Sequence, residues 1–238
     1  MNILSRISNL SKIALRKLYR DKEKVFTIKS VLNKNFPEGT VFRFILVGAN
    51  DGVSHDFLFD YLKKRDCLGI AFEPVADSFE KLLSNFDIFT RVKLVKKAVH
   101  PSKNEVTIYK VIPEKLKDLP DWASGIASLD PEHYKKSGIS SSLITGEISS
   151  AGPLMKMLEE YVPELLPDYL QTDTEGFDAE VIKQIDFTKI RPLIIRFEYI
   201  NLDPISKRES IQLLKKNGYY CFYDGMDIGA VQLRKIKL

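Results

Sequence analysis

The sequence predicts an α/β domain: an open, mostly parallel sheet with helices on both faces, and three observations carry that reading. First, Phe44, Ile45, Leu46 and Val47 form an apolar run that stops at Gly48 and Gly52 within RFILVGANDG. Such a run suits a strand buried on both faces, followed by a turn in which glycine lets backbone approach a ligand. Second, apolar runs and helix-spaced stripes alternate down the chain, which implies parallel pairing through right-handed crossovers. Third, Tyr219 to Tyr223 and Ala230 to Leu233 flank DGMDIG and read as an antiparallel hairpin closing one sheet edge.

The elements follow in order. Phe57, Leu58, Tyr61 and Leu62 place a helix within Val53 to Arg65, directly after the glycine turn, with its free N–H groups toward a ligand. Cys67 to Phe72 is the second buried strand, ending at Glu73-Pro74. Val75, Phe79, Leu82, Leu83 and Phe86 stripe the next helix, and Val92 to Val99 reads as one continuous third strand. Glu105 to Val111 alternates like an accessory strand with one wet face. From about 112 to 153 the apolar runs are short and Pro, Ser and Gly frequent, the pattern of an irregular insertion over the site. Leu154 to Leu166 is helical until Pro163, and Asp168 to Gly176 is a short fourth strand running into acids. Phe177, Val181, Ile182 and Ile185 give one helical face, and Pro192 to Phe197 is the fifth strand. Ile205-Ser206 to Glu209 resembles a capping box, and the helix it opens ends at Gly218. The hairpin brings the total to seven strands.

Composition narrows the function. A chain of 238 residues that is 44% hydrophobic can bury one sizeable core. Cys67 and Cys221 have no metal-ligand spacing and read as two buried thiols in a reducing compartment. Met1 to Lys24 carries seven Lys/Arg against Asp21 and Glu23, and the domain from 25 to 238 is near neutral, which argues against a nucleic-acid face. Ile3, Leu4, Ile7, Leu10, Ala14 and Leu18 make residues 1–24 a basic amphipathic helix, either packed as a cap or touching an anionic membrane peripherally through residues 1–20. It lacks the pattern of a secretory signal, and no stretch reaches the length of a membrane span. The expected location is cytoplasmic, at the inner face of a membrane if the helix binds lipid.

In an open parallel sheet ligands bind beyond the C-terminal strand ends, at the point where strand order reverses. The residues expected there are Gly48, Ala49, Asn50, Asp51 and Gly52 of the turn, Glu73 and Pro74, Ala98 and Val99, and Asp173 with Glu175. A carboxylate after the second strand can accept both hydroxyls of a ribose, which fits Glu73. Asn50 or Asp51 could contact the ligand or cap the next helix. The turn lacks the third glycine of a dinucleotide fingerprint and no P-loop lysine follows, so nicotinamide and triphosphate readings lose ground. A glycine turn, a ribose acid and a closing hairpin suit S-adenosylmethionine instead.

The segments VGANDG, AFEPVADSF, KLVKKAV, LQTDTEGFDAEVI and RPLIIRFEYINL together resemble the FkbM-type methyltransferases over about Phe44 to Tyr199. The specific feature is the pairing of F-E-P with D-x-E-G-F in one α/β chain. GIASLD is similar to the serine-containing segment between third and fourth strands, whereas EISSAGPLMKM, Glu147 to Met157, departs from the pattern. The resemblance implies a class I methyltransferase fold, a Rossmann-like seven-stranded mostly parallel sheet with a C-terminal antiparallel hairpin, and S-adenosylmethionine as donor. It further implies O-methylation of a hydroxyl, often on a sugar, glycan or glycosylated small molecule.

Within that frame Asp173 or Glu175 could orient the acceptor hydroxyl or act as its base, Glu175 could instead cap the helix at Phe177, and His55 is the preferred histidine base. Trp122, His133 and Tyr134 are candidates to line the acceptor pocket. No metal is expected, but Asp173 and Glu198 could hold a divalent cation if a third ligand joined them. The alternative function is a membrane-associated interaction protein that keeps the fold without transfer activity.

Overall fold

The computed structural model describes residues 26–54 and 57–237. The basic helix expected over residues 1–24 and the candidate base His55 lie outside the described residues.

Seven strands form the main sheet: β1 (Val41–Val47), β2 (Asp66–Phe72), β3 (Val92–Val95), β8 (Tyr169–Thr172), β9 (Ile194–Glu198), β10 (Tyr220–Asp224) and β11 (Asp227–Val231). Their order is β3-β2-β1-β8-β9-β11-β10, with β11 antiparallel to both neighbours and the others parallel. The chain steps outward from β1 to β3, then returns to the other side of β1 with β8. The strand order therefore reverses between β1 and β8.

Alternating residues of the central strands feed two cores. Phe42, Phe44 and Leu46 of β1, with Tyr169 and Ile194, pack against the helices α1 (Ile28–Asn35), α2 (Leu58–Leu62) and α3 (Ala76–Asn85). Ile45, Val47, Ile70, Phe72, Leu170, Ile195 and Phe197 face the opposite layer of α5 (Leu154–Tyr161), α6 (Asp178–Lys183) and α7 (Pro204–Lys216). Because both faces are covered, the strands are continuous apolar runs with little alternation. Helix α1, not anticipated from the sequence, opens with a capping box in which Thr27 and Ser30 bond each other's backbone N–H at 3.1 Å.

Several boundaries differ from expectation. The third strand is not continuous: β3 ends at Val95, a turn closes between Lys97 N and Val95 O at 3.0 Å, and β4 (Ala98–Val99) pairs elsewhere. Lys96 and Lys97 in sequence would point one ammonium to each face of a buried sheet, so the strand must leave it. Helix α2 is only five residues long and starts well beyond Gly52, so its N-terminus does not extend the glycine turn. Helix α7 begins at Pro204, and its cap is Asp203, whose carboxylate accepts from Ile205 N and Ser206 N at 2.8 and 3.0 Å. It ends as expected, with Gly218 at φ +86.

The region expected to be irregular contains the nine-residue strand β7 (Ile144–Gly152). With β4, β5 (Glu105–Val111) and β6 (Ala127–Ser128) it makes a second sheet, ordered β4-β7-β5-β6. Between β5 and β7 lie three 3-10 turns, Pro113–Asp118, Asp121–Gly125 and Ser141–Leu143, and the short helix α4 (Tyr134–Ser137). A small core of Val111, Ala123, Ile126 and Ile139 holds them together. Among the described residues no helix is long and apolar enough to cross a membrane.

Candidate functional site

The strand register aligns the candidate residues. Val47 pairs with Phe72 and with Thr172, and Thr172 pairs with Phe197. Gly48, Glu73, Asp173 and Glu198 each come next, so they stand in one row along the C-terminal edge of four adjacent strands, spaced about 4.8 Å from strand to strand. The row straddles the point where strand order reverses, the usual place for a ligand in such sheets.

On the β1–β2 side the glycine turn approaches its neighbours too closely for any side chain. Gly48 has φ +76, and a Cβ built there would lie 1.9 Å from the backbone oxygen of Asp173. Gly48 N and Ala49 N both donate to Phe72 O at 3.0 Å, and Asn50 is also left-handed at φ 49. Gly52, at φ +77, is pressed by helix α3, with Phe86 Cε2 2.3 Å from a built Cβ. Glu73 is 5% exposed and fixes the turn: Oε2 accepts from Asn50 N and Oε1 from Val75 N, each at 2.8 Å. Burial pushes the Glu73 carboxyl up to about 7 against the pull of those two bonds.

On the β8–β9 side acids gather. Asp173, Glu175 and Glu198 present carboxylate oxygens that all lie within 4.8 Å of one another. Asn201 Nδ2 bridges two of them, donating to Glu175 Oε2 at 2.8 Å and Glu198 Oε2 at 2.9 Å. His133 Nε2 lies 3.0 Å from Glu175 Oε2. Asp173 is exposed at the cavity, and the partial desolvation of its carboxyl by the surrounding walls, then the neighbouring carboxylates Asp178, Glu198 and Glu175, raise it above the usual range. Burial and Glu175 push Glu198 up to about 8. Helix α6 contributes Asp178, fully buried, which accepts from Thr174 Oγ1 at 3.0 Å and is raised by burial to about 6.

Between the two sides is a cavity of about 310 Å³. Of the residues expected in the donor site, Gly48, Ala49, Asn50, Gly52, Glu73, Pro74, Ala98, Val99 and Asp173 line it. Ala98 and Val99 do so from the second sheet and not from the end of β3. Asp51 does not line it: its carboxylate accepts from Val53 N, Ser54 N and Ser54 Oγ, capping the turn that follows. Glu175 lines the cavity and does not cap α6, whose N-cap Phe177 has no side-chain partner.

The three aromatic candidates for the acceptor side separate. Trp122 lines the cavity and is 47% exposed. His133 is 3% exposed and sits behind Glu175, away from the lining. Tyr134 packs on the small core of the insertion. Sequence reasoning missed Asn201, Gln171, Arg196, Met226 and Asp227. Of these, all but Asn201 line the cavity, and Arg196 Nη2 pairs with Asp227 Oδ2 at 2.8 Å. Their signal was the alternation of β9 and the hairpin turn, which shows a charged residue in an otherwise apolar strand but not its partner.

Residues 47–221 match the family model described as the methyltransferase FkbM domain. No curated protein matches the chain in sequence. Similar solved structures include the ribosomal protein L11 methylase of Lactobacillus delbrueckii subsp. bulgaricus, 12% identical, with a TM-score of 0.41 over 82% of this chain and 70% of that one. Another is the methyltransferase FkbM of Methylobacillus flagellatus KT, 11% identical, TM-score 0.45, covering 82% of this chain and 43% of that one. A third is Aeropyrum pernix fibrillarin, solved with natively bound S-adenosyl-L-methionine, 12% identical, TM-score 0.43, covering 84% and 72%.

Proposed function

Because the chain belongs to the FkbM methyltransferase family, we propose that this methyltransferase takes its methyl group from S-adenosylmethionine and places it on a hydroxyl of a sugar, glycan or glycosylated small molecule. The observation that carries the reading is the row of strand ends, with a glycine turn and a buried acid on one side and a group of carboxylates on the other. The residues fit the donor. A Cβ at Gly48 would fill the cradle where backbone meets the β8 loop, and Glu73 is held by only one hydrogen bond per oxygen, so each keeps a lone pair for a ribose hydroxyl. The cavity is at the small end of the range for ligand sites.

Bound there, S-adenosylmethionine supplies a methyl group already activated by its positive sulfonium. The chain's own contribution is largely positioning. Gly48 to Asn50 and Glu73 would hold the donor's nucleoside end, and the acids around Asp173 would favour its cationic end. The acceptor enters past Trp122 and Met226, exposed apolar surfaces suited to the face of a sugar ring. Asp173 faces the cavity and has no hydrogen-bond partner among the described residues, so it is placed to accept a proton from the hydroxyl or to hold a group that activates it.

The test is calorimetry followed by transfer. S-adenosylmethionine should bind and NAD should not, and Glu73→Ala should weaken the donor by about 1.5–3 kcal/mol, the range for bonds to a charged group. With methyl-labelled donor and a panel of glycosides, the label should resist mild base, as an ether does. Absence of donor binding would end the donor assignment, and label appearing solely as a base-labile ester or on an amine would end the hydroxyl assignment.

A further inference from the structure

We propose that the sheet edge opposite the cavity, acting together with residues 1–24, docks peripherally on an anionic membrane surface. This goes beyond the methyltransferase reading and does not depend on it.

Strand direction locates the edge. β11 runs against both β9 and β10, with Val231 opposite Ile194 on one side and Tyr220 on the other. The starts of β9 and β10 and the end of β11 therefore share one edge of the sheet, whereas Glu198 and the cavity lie at the other. The last residues of the chain cross this edge. Gln232 Nε2 donates to Arg191 O and Pro192 O at 3.1 and 2.8 Å, and Asn35, at the end of α1, exchanges bonds of 2.7 and 2.8 Å with the backbone of Lys237.

The end of α1, the loop before β9, the end of α7 and the tail after β11 thus meet, and they expose Lys34, Arg191, Lys216, Arg234, Lys235 and Lys237. Among the described residues none of the six has an ion-pair partner, although the acids that precede or open β1, β2 and β8 do: Glu38 pairs with Lys64, Asp66 with Arg91 and Asp168 with Arg43. The stretches 28–35, 215–223 and 232–237 contain no acid. In a domain that is near neutral as a whole, this edge carries an unbalanced positive field.

Charge alone would suit any polyanion, and two observations select lipid. Tyr220 and Leu233, 50% and 42% exposed, stand among these bases, where an apolar body with a polar tip suits the boundary between headgroups and acyl chains. The chain also enters the described fold here: the Phe26 ring meets Tyr220 and Phe222 edge-on, with centroids 5.9 and 4.6 Å apart. The residues before it hold seven Lys/Arg against two acids, with Ile3, Leu4, Ile7 and Leu10 among them. Apolar groups set among bases gain by entering a lipid interface, whereas a nucleic-acid backbone takes up the charges alone. Docking by this edge leaves the cavity facing away from the lipid.

The experiment sediments the full chain with vesicles of phosphatidylcholine alone and of phosphatidylcholine mixed with phosphatidylglycerol, at low and high salt. Binding is expected only with phosphatidylglycerol and should weaken in salt. Arg234→Gln, Lys235→Gln and Lys237→Gln combined should weaken it roughly 100-fold, each base near an anionic surface contributing about fivefold. The same charge removed from the insertion, Lys103→Gln, Lys115→Gln and Lys117→Gln combined, should change it less than about threefold, because salt screens distant charges. The tail's bonds to Asn35 are backbone bonds, so the melting temperature of the tail variant should match wild type. If that variant melts early, Lys34→Gln with Lys216→Gln answers the same question, with about 25-fold weakening expected. No sedimentation, equal binding to the neutral vesicles, or equal losses in the tail and insertion variants overturns the proposal. Tighter binding to duplex RNA than to the anionic vesicles at the same salt, lost in the tail variant, also overturns it and makes the edge a nucleic-acid face.

Discussion

Gly48 is constrained twice, by its left-handed φ of +76 and by the Asp173 backbone oxygen 1.9 Å from where a Cβ would sit. Either would be uncomfortable for alanine, and here the obstacle is backbone, which cannot swing aside. Gly48→Ala should therefore cost more than the ~1 kcal/mol of an ordinary left-handed glycine replacement, and should push the ends of β1 and β8 apart. Urea unfolding checks the first and loss of donor affinity the second; wild-type stability would mean the turn relaxes freely. Glu73 makes a pH prediction. Its folded-state pKa of about 7 lies above the ordinary value of 4.5, so the native state binds its proton more tightly than the unfolded chain does. The Glu73 contribution to stability is then largest below pH 4.5 and is lost as pH rises through about 7. In Glu73→Gln that loss disappears, so the fall in melting temperature between pH 5 and 8 should be shallower than in wild type, even if the variant is less stable overall. Equal slopes would remove Glu73 as a titrating group in this window.

At the scale of elements, the stretch that departs from the family pattern has an identifiable job. Helix α3 has Val75 at its N-cap and no side-chain cap of its own, and Glu147 Oε1 of β7 accepts from Ala76 N at 2.8 Å. The other oxygen, Oε2, meets Lys110 Nζ of β5 at 2.6 Å. One carboxylate thus joins the second sheet to the helix that packs behind the glycine turn. Removing it should resemble the loss of an N-cap plus a partly buried ion-pair partner, about 1–2 kcal/mol for Glu147→Ala. Glu147→Gln keeps an acceptor for Ala76 and should recover part of the loss. Chemical denaturation of the two variants decides the matter, and an unaffected midpoint in Glu147→Ala would show that water caps α3 equally well.

For the whole molecule, the donor's energy should appear as stability, because the site is assembled from four strand ends and two loops that exist together only in the native state. A ligand at 100 times its dissociation constant adds about 2.7 kcal/mol. For a chain of this length that corresponds to a rise in melting temperature of roughly 5–10 °C. S-adenosylmethionine should produce such a rise in a thermal scan and NAD should produce none; equal shifts with both would point to nonspecific occupancy of the cavity.

What the sequence determined by itself was the row at the sheet's edge. Buried parallel strands must be apolar runs, so the residues that end them, Gly48, Glu73, Asp173 and Glu198, stand out locally, and the motifs around them carry the family resemblance. The core faces and the closing hairpin follow from the same local periodicities. Tertiary structure decided the rest because it depends on pairings between distant segments. Ala98 and Val99 leave the main sheet to pair with Ala151 and Gly152, across the whole insertion. Strand β7 is rich in small and polar residues, so its periodicity is weak, and its strand character comes from pairing with β5 along seven residues. His133 looked like an acceptor wall and is instead a buried partner of Glu175, since the insertion folds back on the β8 loop. Glu175, Asn201 and Glu198 become one group because β8 and β9 are neighbours in space, a fact of strand order that no local periodicity contains.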